Sequence, residues 1–150
     1  MVWVRALVVL FCLCLLACKT PDNTALMQEN LNNEIRARLS TLNKIAQADE
    51  ALQKLVADLH QQSENLILLS KRRENANTAV SSANIYYRLM AKAVTGQPTE
   101  PMILFASMSP VQIQLAIKQN ELWLLNNLIN LNKNQDLKLS SVVEKTLNWH

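Results

Sequence analysis

The sequence predicts an all-α protein, and composition and periodicity carry that prediction. Gly96 is the only glycine, and the four prolines stand at positions 21, 98, 101 and 110. Few residues are therefore available for the tight turns of β-hairpins. Apolar residues recur at helical spacing over long stretches. We expect a long amphipathic helix or a helical hairpin with coiled-coil character, followed by two shorter C-terminal helices.

The N-terminal segment has the pattern of an export signal. Arg5 precedes an unbroken apolar run over residues 6–16, which has about the length of a signal h-region and is shorter than the roughly 20 residues that span a bilayer. The run ends in Leu15-Leu16-Ala17-Cys18, which resembles the lipobox of bacterial lipoproteins. In that family a dedicated peptidase cuts before a cysteine that carries diacylglycerol. The resemblance implies that residues 1–17 are a signal peptide and that Cys18 is the lipidated first residue of the mature chain.

The resemblance also implies a location in the cell. Two or three acyl chains, such as palmitate, would anchor Cys18 stably in a membrane, because each buried methylene contributes about 0.8 kcal/mol. In Gram-negative sorting, an aspartate after the lipidated cysteine retains a lipoprotein at the inner membrane. Lys19 occupies that position here. We therefore expect a lipid-anchored protein of the outer membrane that faces the periplasm.

Cleavage would also settle the roles of the cysteines and the charge. Cys12 and Cys14 would be discarded and the Cys18 sulfur acylated, so we expect neither a disulfide nor a thiolate metal site. Loss of Arg5 leaves 14 basic residues against 12 acidic ones. That excess is too small to indicate nucleic-acid binding. With one glycine, no phosphate-binding loop can be formed, and we expect no cofactor.

After a lipidated tether over residues 18–24, a helical and coiled-coil region is expected over residues 25–95, with Asn23 or Thr24 as its cap. Its heptad pattern is fair up to Leu59 and poor afterwards. Either one helix of about 105 Å or a hairpin bent near residues 74–78 fits this region, since Lys71-Arg72-Arg73 suits a helix C-terminus. The possible interaction seam consists of Leu31, Leu42, Ile45, Leu52 and Leu59.

A C-terminal helical region is expected over residues 96–150, after the linker Gly96-Gln-Pro-Thr-Glu-Pro101. Ser109-Pro110-Val-Gln112 predicts a helix start with a capping box, and that helix should extend to Leu131. A last short helix over residues 141–149 begins with a second capping box, Ser141-Val-Val-Glu144.

Candidate chemistry is sparse. His60 and Glu64 form an i, i+4 pair that we interpret as a solvated pair. Asp49 stands at an apolar heptad position, where it either faces water or pairs with a cation such as Arg38. Trp123 is expected in the core, whereas Trp149 either docks on the bundle or anchors an interface. The basic run at residues 71–73 is interpreted as a solvated helix end, with phospholipid headgroups or an acidic partner as the alternatives.

Three classes of function remain. The leading hypothesis is a non-enzymatic scaffold of an envelope-spanning assembly, which binds another protein or itself through the seam. The alternative is a pilot-like chaperone that escorts a secretion or conjugation component, with a groove around Trp123. A cell-wall hydrolase ranks last, because no acid, base and nucleophile can be combined. Covalent peptidoglycan attachment, which small envelope lipoproteins achieve through a C-terminal lysine, is not expected for a chain ending Asn148-Trp149-His150.

Overall fold

The computed structural model describes residues 23–95 and 103–133. These residues form four α-helices: α1 (Asn23–Ile45), α2 (Glu50–Ser70), α3 (Ala76–Thr95) and α4 (Pro110–Lys133). Two 3₁₀ turns, Ala46–Ala48 and Arg73–Asn75, separate α1 from α2 and α2 from α3. No strand occurs in the described ranges, and the all-α prediction is confirmed. The signal peptide, Cys18, Lys19, the linker and the helix expected over residues 141–149 lie outside these ranges.

The region expected to be one helix or one hairpin contains two breaks, and the first was not predicted. After the turn Ala46–Ala48, Asp49 adopts an extended backbone, and its side chain accepts a hydrogen bond from the Leu52 N–H at 3.1 Å. Asp49 is thus the N-cap of α2, a role that aspartate fills because its carboxylate satisfies a free N–H of the first turn. Gln53 secures the same break by donating to the Ala46 carbonyl at 2.8 Å.

The second break joins α2 and α3 as a hairpin, which was one of the two predicted alternatives. It lies at residues 71–75, slightly before the expected bend at 74–78. The two helices are in contact, and the buried Ser63 of α2 meets Tyr87 of α3. With so short a connection, the helices must run antiparallel.

Helix α4 begins with the predicted capping box. The Gln112 N–H donates to Ser109 Oγ at 3.3 Å, and the Ser109 N–H donates to Gln112 Oε1 at 2.9 Å. Each of the two side chains thereby satisfies the free backbone N–H of the other residue. Pro110 occupies the first helical position, where no N–H is needed. The helix then packs against α1, α2 and α3, and its closest association is with α1. It is therefore the central helix of the bundle.

Helices α1 and α4 run parallel to each other. Lys118 donates from Nζ to Asn32 Oδ1, and about two turns further along both helices Arg38 donates from Nε to Asn126 Oδ1 at 2.6 Å. The sequence offsets of these two pairs are 86 and 88 residues. The same offset places Ile45, the last residue of α1, beside the last turn of α4.

Helix α2 consequently runs back along α4. It begins near the last turn of α4, and ten residues later His60 contacts Glu121 of α4. The end of α2 therefore lies beside the beginning of α4. One end of the bundle, which we call the N-terminal end, thus contains the starts of α1, α3 and α4 together with the end of α2.

The predicted seam lies in the core of the chain itself. Leu42, Leu52 and Leu59 have at most 1% of their surface exposed, and the half-buried Ile45 packs against them. Leu31 is half-buried as well. Since α1 turns at Asp49 and α2 folds back on α4, the apolar heptad positions meet the chain's own helices. Leu42, Leu52 and Leu59, which were expected to face a partner, are therefore buried by the helices of the same chain.

Candidate functional site

A buried polar cluster joins α2, α3 and α4. At its centre, His60 Nδ1 lies 2.6 Å from Glu121 Oε1. The Glu121 side chain is 0% exposed, whereas that of His60 is 41% exposed. The His60 ring therefore lies between solvent and a carboxylate enclosed by three helices. The predicted pairing of His60 with Glu64 is replaced by this contact across 61 residues of sequence, and Glu64 is exposed.

Burial dominates the electrostatics of Glu121. It raises the pKa of this carboxyl group above its ordinary value of 4.5, because the charged form is poorly solvated. The hydrogen bond and the charge of His60 act in the opposite direction, as does Lys118 one turn away, whereas Glu64 raises the pKa further. Oε2 is buried and has no hydrogen-bond partner among the described residues. Glu121 is thus only half satisfied, which makes its protonation sensitive to its surroundings.

Two tyrosines complete the cluster. Tyr87 is fully buried, and its hydroxyl shares a hydrogen bond of 2.7 Å with Ser63 Oγ. Burial raises the pKa of both Tyr86 and Tyr87, and the charge of Glu121 raises both further. Their rings meet edge to face, with centroids 5.2 Å apart, an arrangement that aromatic pairs prefer.

The hydrogen bonds of this cluster are suited to a structural role. Glu121 orients the His60 imidazole, as a carboxylate does in many polar networks. The hydroxyls of Ser63 and Tyr87 bond to each other within the core, so neither is presented to a substrate. Three helices must align for these bonds to form, and the cluster therefore fixes their relative positions.

A second feature is an apolar patch held by an asparagine. Asn84 of α3 donates from Nδ2 to the Leu104 carbonyl at 2.9 Å and accepts from the Leu104 N–H at 2.8 Å. This clamp buries the Leu104 side chain in the core. The neighbouring Ile103 and Phe105 are both exposed. Ile85, which follows Asn84 in the sequence, is exposed as well, and we call Ile85, Ile103 and Phe105 the clamp patch.

The other predicted residues divide between structural roles and surface. Trp123 is half-buried and packs against the core, as expected. Arg38 bonds to Asn126 and not to Asp49. Lys71, Arg72 and Arg73 are exposed. Around Trp123, the position of the groove in the pilot-like hypothesis, α4 is covered by the other helices, and its fully buried leucines are Leu124, Leu125 and Leu128.

The sequence did not reveal Glu121, Tyr87 or Asn84 as members of a site. Glu121 is the one acidic residue of α4, and an acid in so apolar a helix is a signal that sequence reasoning could have used.

The part of the chain that the structure describes contains no group of three or more side chains able to hold a metal ion. It also contains no helix that is both long and apolar enough to cross a membrane. Comparison of the chain with protein-family models, curated proteins and solved structures gave no significant match.

Proposed function

We propose that this chain is a lipid-anchored, non-enzymatic interaction protein of the bacterial envelope, held at the outer membrane through Cys18 and facing the periplasm. The observation that carries the proposal is the motif Leu15-Leu16-Ala17-Cys18 at the end of a short apolar run. The helical bundle supports it, because α1 begins only five residues after Cys18. A lipid at Cys18 would therefore hold a folded unit close to the membrane.

In this proposal the clamp patch, and not the leucine seam, binds the protein partner. Phe105 is 58% exposed and Ile85 is 61% exposed, although both are large apolar residues. Aromatic side chains on a fixed backbone are common anchors of interfaces. Asn84 fixes the backbone of this segment, so little conformational freedom would be lost on binding. The expected partner is an envelope protein with a complementary apolar groove.

Fatty-acid labelling tests the anchor. Cells expressing the chain are fed an alkyne-bearing fatty acid, and we expect strong labelling of the wild type and of Cys14→Ser, which keeps the lipobox cysteine. Cys18→Ser should lose the label and accumulate as precursor or as soluble protein. Undiminished labelling of Cys18→Ser would contradict the proposal.

Site-specific photocrosslinking tests the binding surface. A photoreactive phenylalanine analogue replaces Phe105 in the anchored protein, and a control chain carries it at Ala57, an exposed position on α2. We expect one adduct of defined mass from position 105, weakened by Ile103→Asp, and none from position 57. Equal adduct patterns from the two positions would show that the clamp patch is not the interface.

A further inference from the structure

The N-terminal end of the bundle exposes apolar side chains from three helices. Leu26 and Met27 lie in the first two turns of α1, Leu68 lies in the last turn of α2, and Val111 lies in the first turn of α4. Leu26 is 57% exposed and Leu68 is 59% exposed. The large apolar residues exposed elsewhere in the described ranges form the clamp patch. The opposite end, at the turn Ala46–Ala48, contributes no large exposed apolar residue from the described chain.

The same end carries a basic turn. Lys71, Arg72 and Arg73 follow α2 directly and are exposed, and Glu74 is the single acidic residue among them. The polypeptide beside them is uncharged, because residues 23–28 of α1 and residues 103–117 before and within α4 contain no charged side chain. A turn with three cations and one anion next to an uncharged apolar rim matches the interface of an anionic bilayer, where basic groups meet headgroups and apolar groups enter the acyl boundary.

The length of the tether brings this end to the membrane. Four residues lie between Cys18 and Asn23, which makes five steps along the chain. Since each step spans at most about 3.6 Å, the start of α1 lies within roughly 18 Å of the lipidated residue. Since α1 and α4 run parallel, the start of α4 lies beside it. The opposite end is farther away by the length of α1, about 35 Å at 1.5 Å per residue.

We propose that the N-terminal end of the bundle rests on an anionic phospholipid surface, with Leu26, Met27, Leu68 and Val111 entering the headgroup boundary and the basic turn pairing with phosphates. This inference rests on the proposed lipid anchor and adds an orientation to it. The bundle stands end-on, and Asn84, which holds the clamp segment, lies eight residues after the start of α3, about 12 Å from that end at 1.5 Å per residue. Each basic residue near such a surface strengthens attraction roughly fivefold at low salt.

Depth-dependent quenching tests the contact. In the mature chain a new cysteine would be the sole free thiol, because Cys12 and Cys14 are removed and Cys18 is acylated. Leu68→Cys and Val111→Cys are each labelled with an environment-sensitive fluorophore, and Gln47→Cys, an exposed residue of the opposite end, is the matched control. The full lipidated protein is reconstituted into vesicles of phosphatidylethanolamine and phosphatidylglycerol that contain lipid with a quencher near the headgroup.

We expect several-fold stronger quenching at positions 68 and 111 than at position 47. Charge reversal in the double variant Arg72→Glu, Arg73→Glu should weaken quenching at position 68 in these vesicles. Added salt should weaken quenching at position 68 of the chain that keeps Arg72 and Arg73. Equal quenching at all three positions of a vesicle-bound protein would overturn the inference, as would quenching that is indifferent to charge reversal. Protein that fails to float with the vesicles would instead contradict the anchor, so the two failures are distinguishable.

Discussion

The core contains two neighbouring layers that are built differently. The apolar layer is centred on Leu42, Leu52 and Leu59, all fully buried. The polar layer begins one residue later in the sequence, where His60 and Ser63 of α2 reach Glu121 and Tyr87. In the first layer, stability depends on the apolar area removed from water, and the hydrophobic effect does not require a particular orientation of the side chains. In the second, stability depends on hydrogen bonds whose geometry admits one alignment of the helices. The heptad pattern therefore weakens after Leu59 because the chemistry of the core changes there, and not because the core ends.

The largest expected effect is in the apolar layer. Leu52→Asp places a charge at a position that is 1% exposed, and an unpaired buried charge should lower the free energy of unfolding by roughly 3–5 kcal/mol. Circular dichroism and light scattering should show helicity and thermal midpoint falling together, with no change of oligomeric mass. Ala57→Asp, on the exposed face of the same helix, is the control and should cost little. Loss of an oligomer with helicity retained would instead assign the seam to an interface between chains.

A smaller effect is expected in the polar layer. His60→Ala removes the partner of Glu121 Oε1 and leaves a fully buried carboxylate without its hydrogen bond, which should cost about 2 kcal/mol at neutral pH. Urea denaturation measures the change. The double variant with Glu121→Gln should recover part of the loss, because no charge is then buried. An equal cost of His60→Ala in the presence and absence of Glu121→Gln would show that the two side chains are not coupled.

The smallest effect is a pH dependence specific to the polar layer. Burial raises the pKa of Glu121 above 4.5, so the folded chain retains a proton that the unfolded chain releases as pH increases through that value. The contribution to stability is complete below 4.5 and is lost as pH rises toward the folded pKa. We therefore expect Glu121→Gln to gain stability over the wild type by about 1 kcal/mol or less per pH unit across that window. Urea denaturation at several pH values measures the difference, and an identical slope for Glu121→Gln and the wild type would contradict the argument.

Local patterns predicted the helical class and individual element ends. The capping box at Ser109 and Gln112 could be predicted from spacing alone. The basic run at residues 71–73 indicated a bend only as one of two alternatives, and the structure places the break at residues 71–75. The cap at Asp49 is also a local feature, yet the apolar repeat continues on both sides of it and therefore predicts a heptad position there. There the preference of aspartate for an N-cap outweighed the repeat.

The polar layer and the clamp depend on contacts between distant residues, which no local pattern contains. From the sequence, His60 could contact either Glu64, one turn away, or Glu121. The contact with Glu121 forms because α2 runs antiparallel to α4. In the sequence, Asn84 is an ordinary polar residue of a helix. Its role depends on the backbone of Leu104, to which it makes two hydrogen bonds in the folded chain. The partner of the leucine seam was likewise undetermined, because an apolar stripe is equally well buried by another chain or by its own.

The direction of α1 along α4 is the feature on which the buried seam, the polar layer and the orientation at the membrane all depend. Residues Glu29, Gln112 and Asn130 are all exposed. Spin labels attached in the pairs 29/112 and 29/130 allow the two distances to be measured by pulsed electron paramagnetic resonance in the mature protein. Parallel helices at the observed offset place residue 29 within about one turn of residue 112, and nearly four turns from residue 130, at 1.5 Å per residue. We predict that the 29–112 distance is shorter than the 29–130 distance by roughly 10 Å. The reverse order would mean that α1 and α4 run antiparallel and would contradict the account.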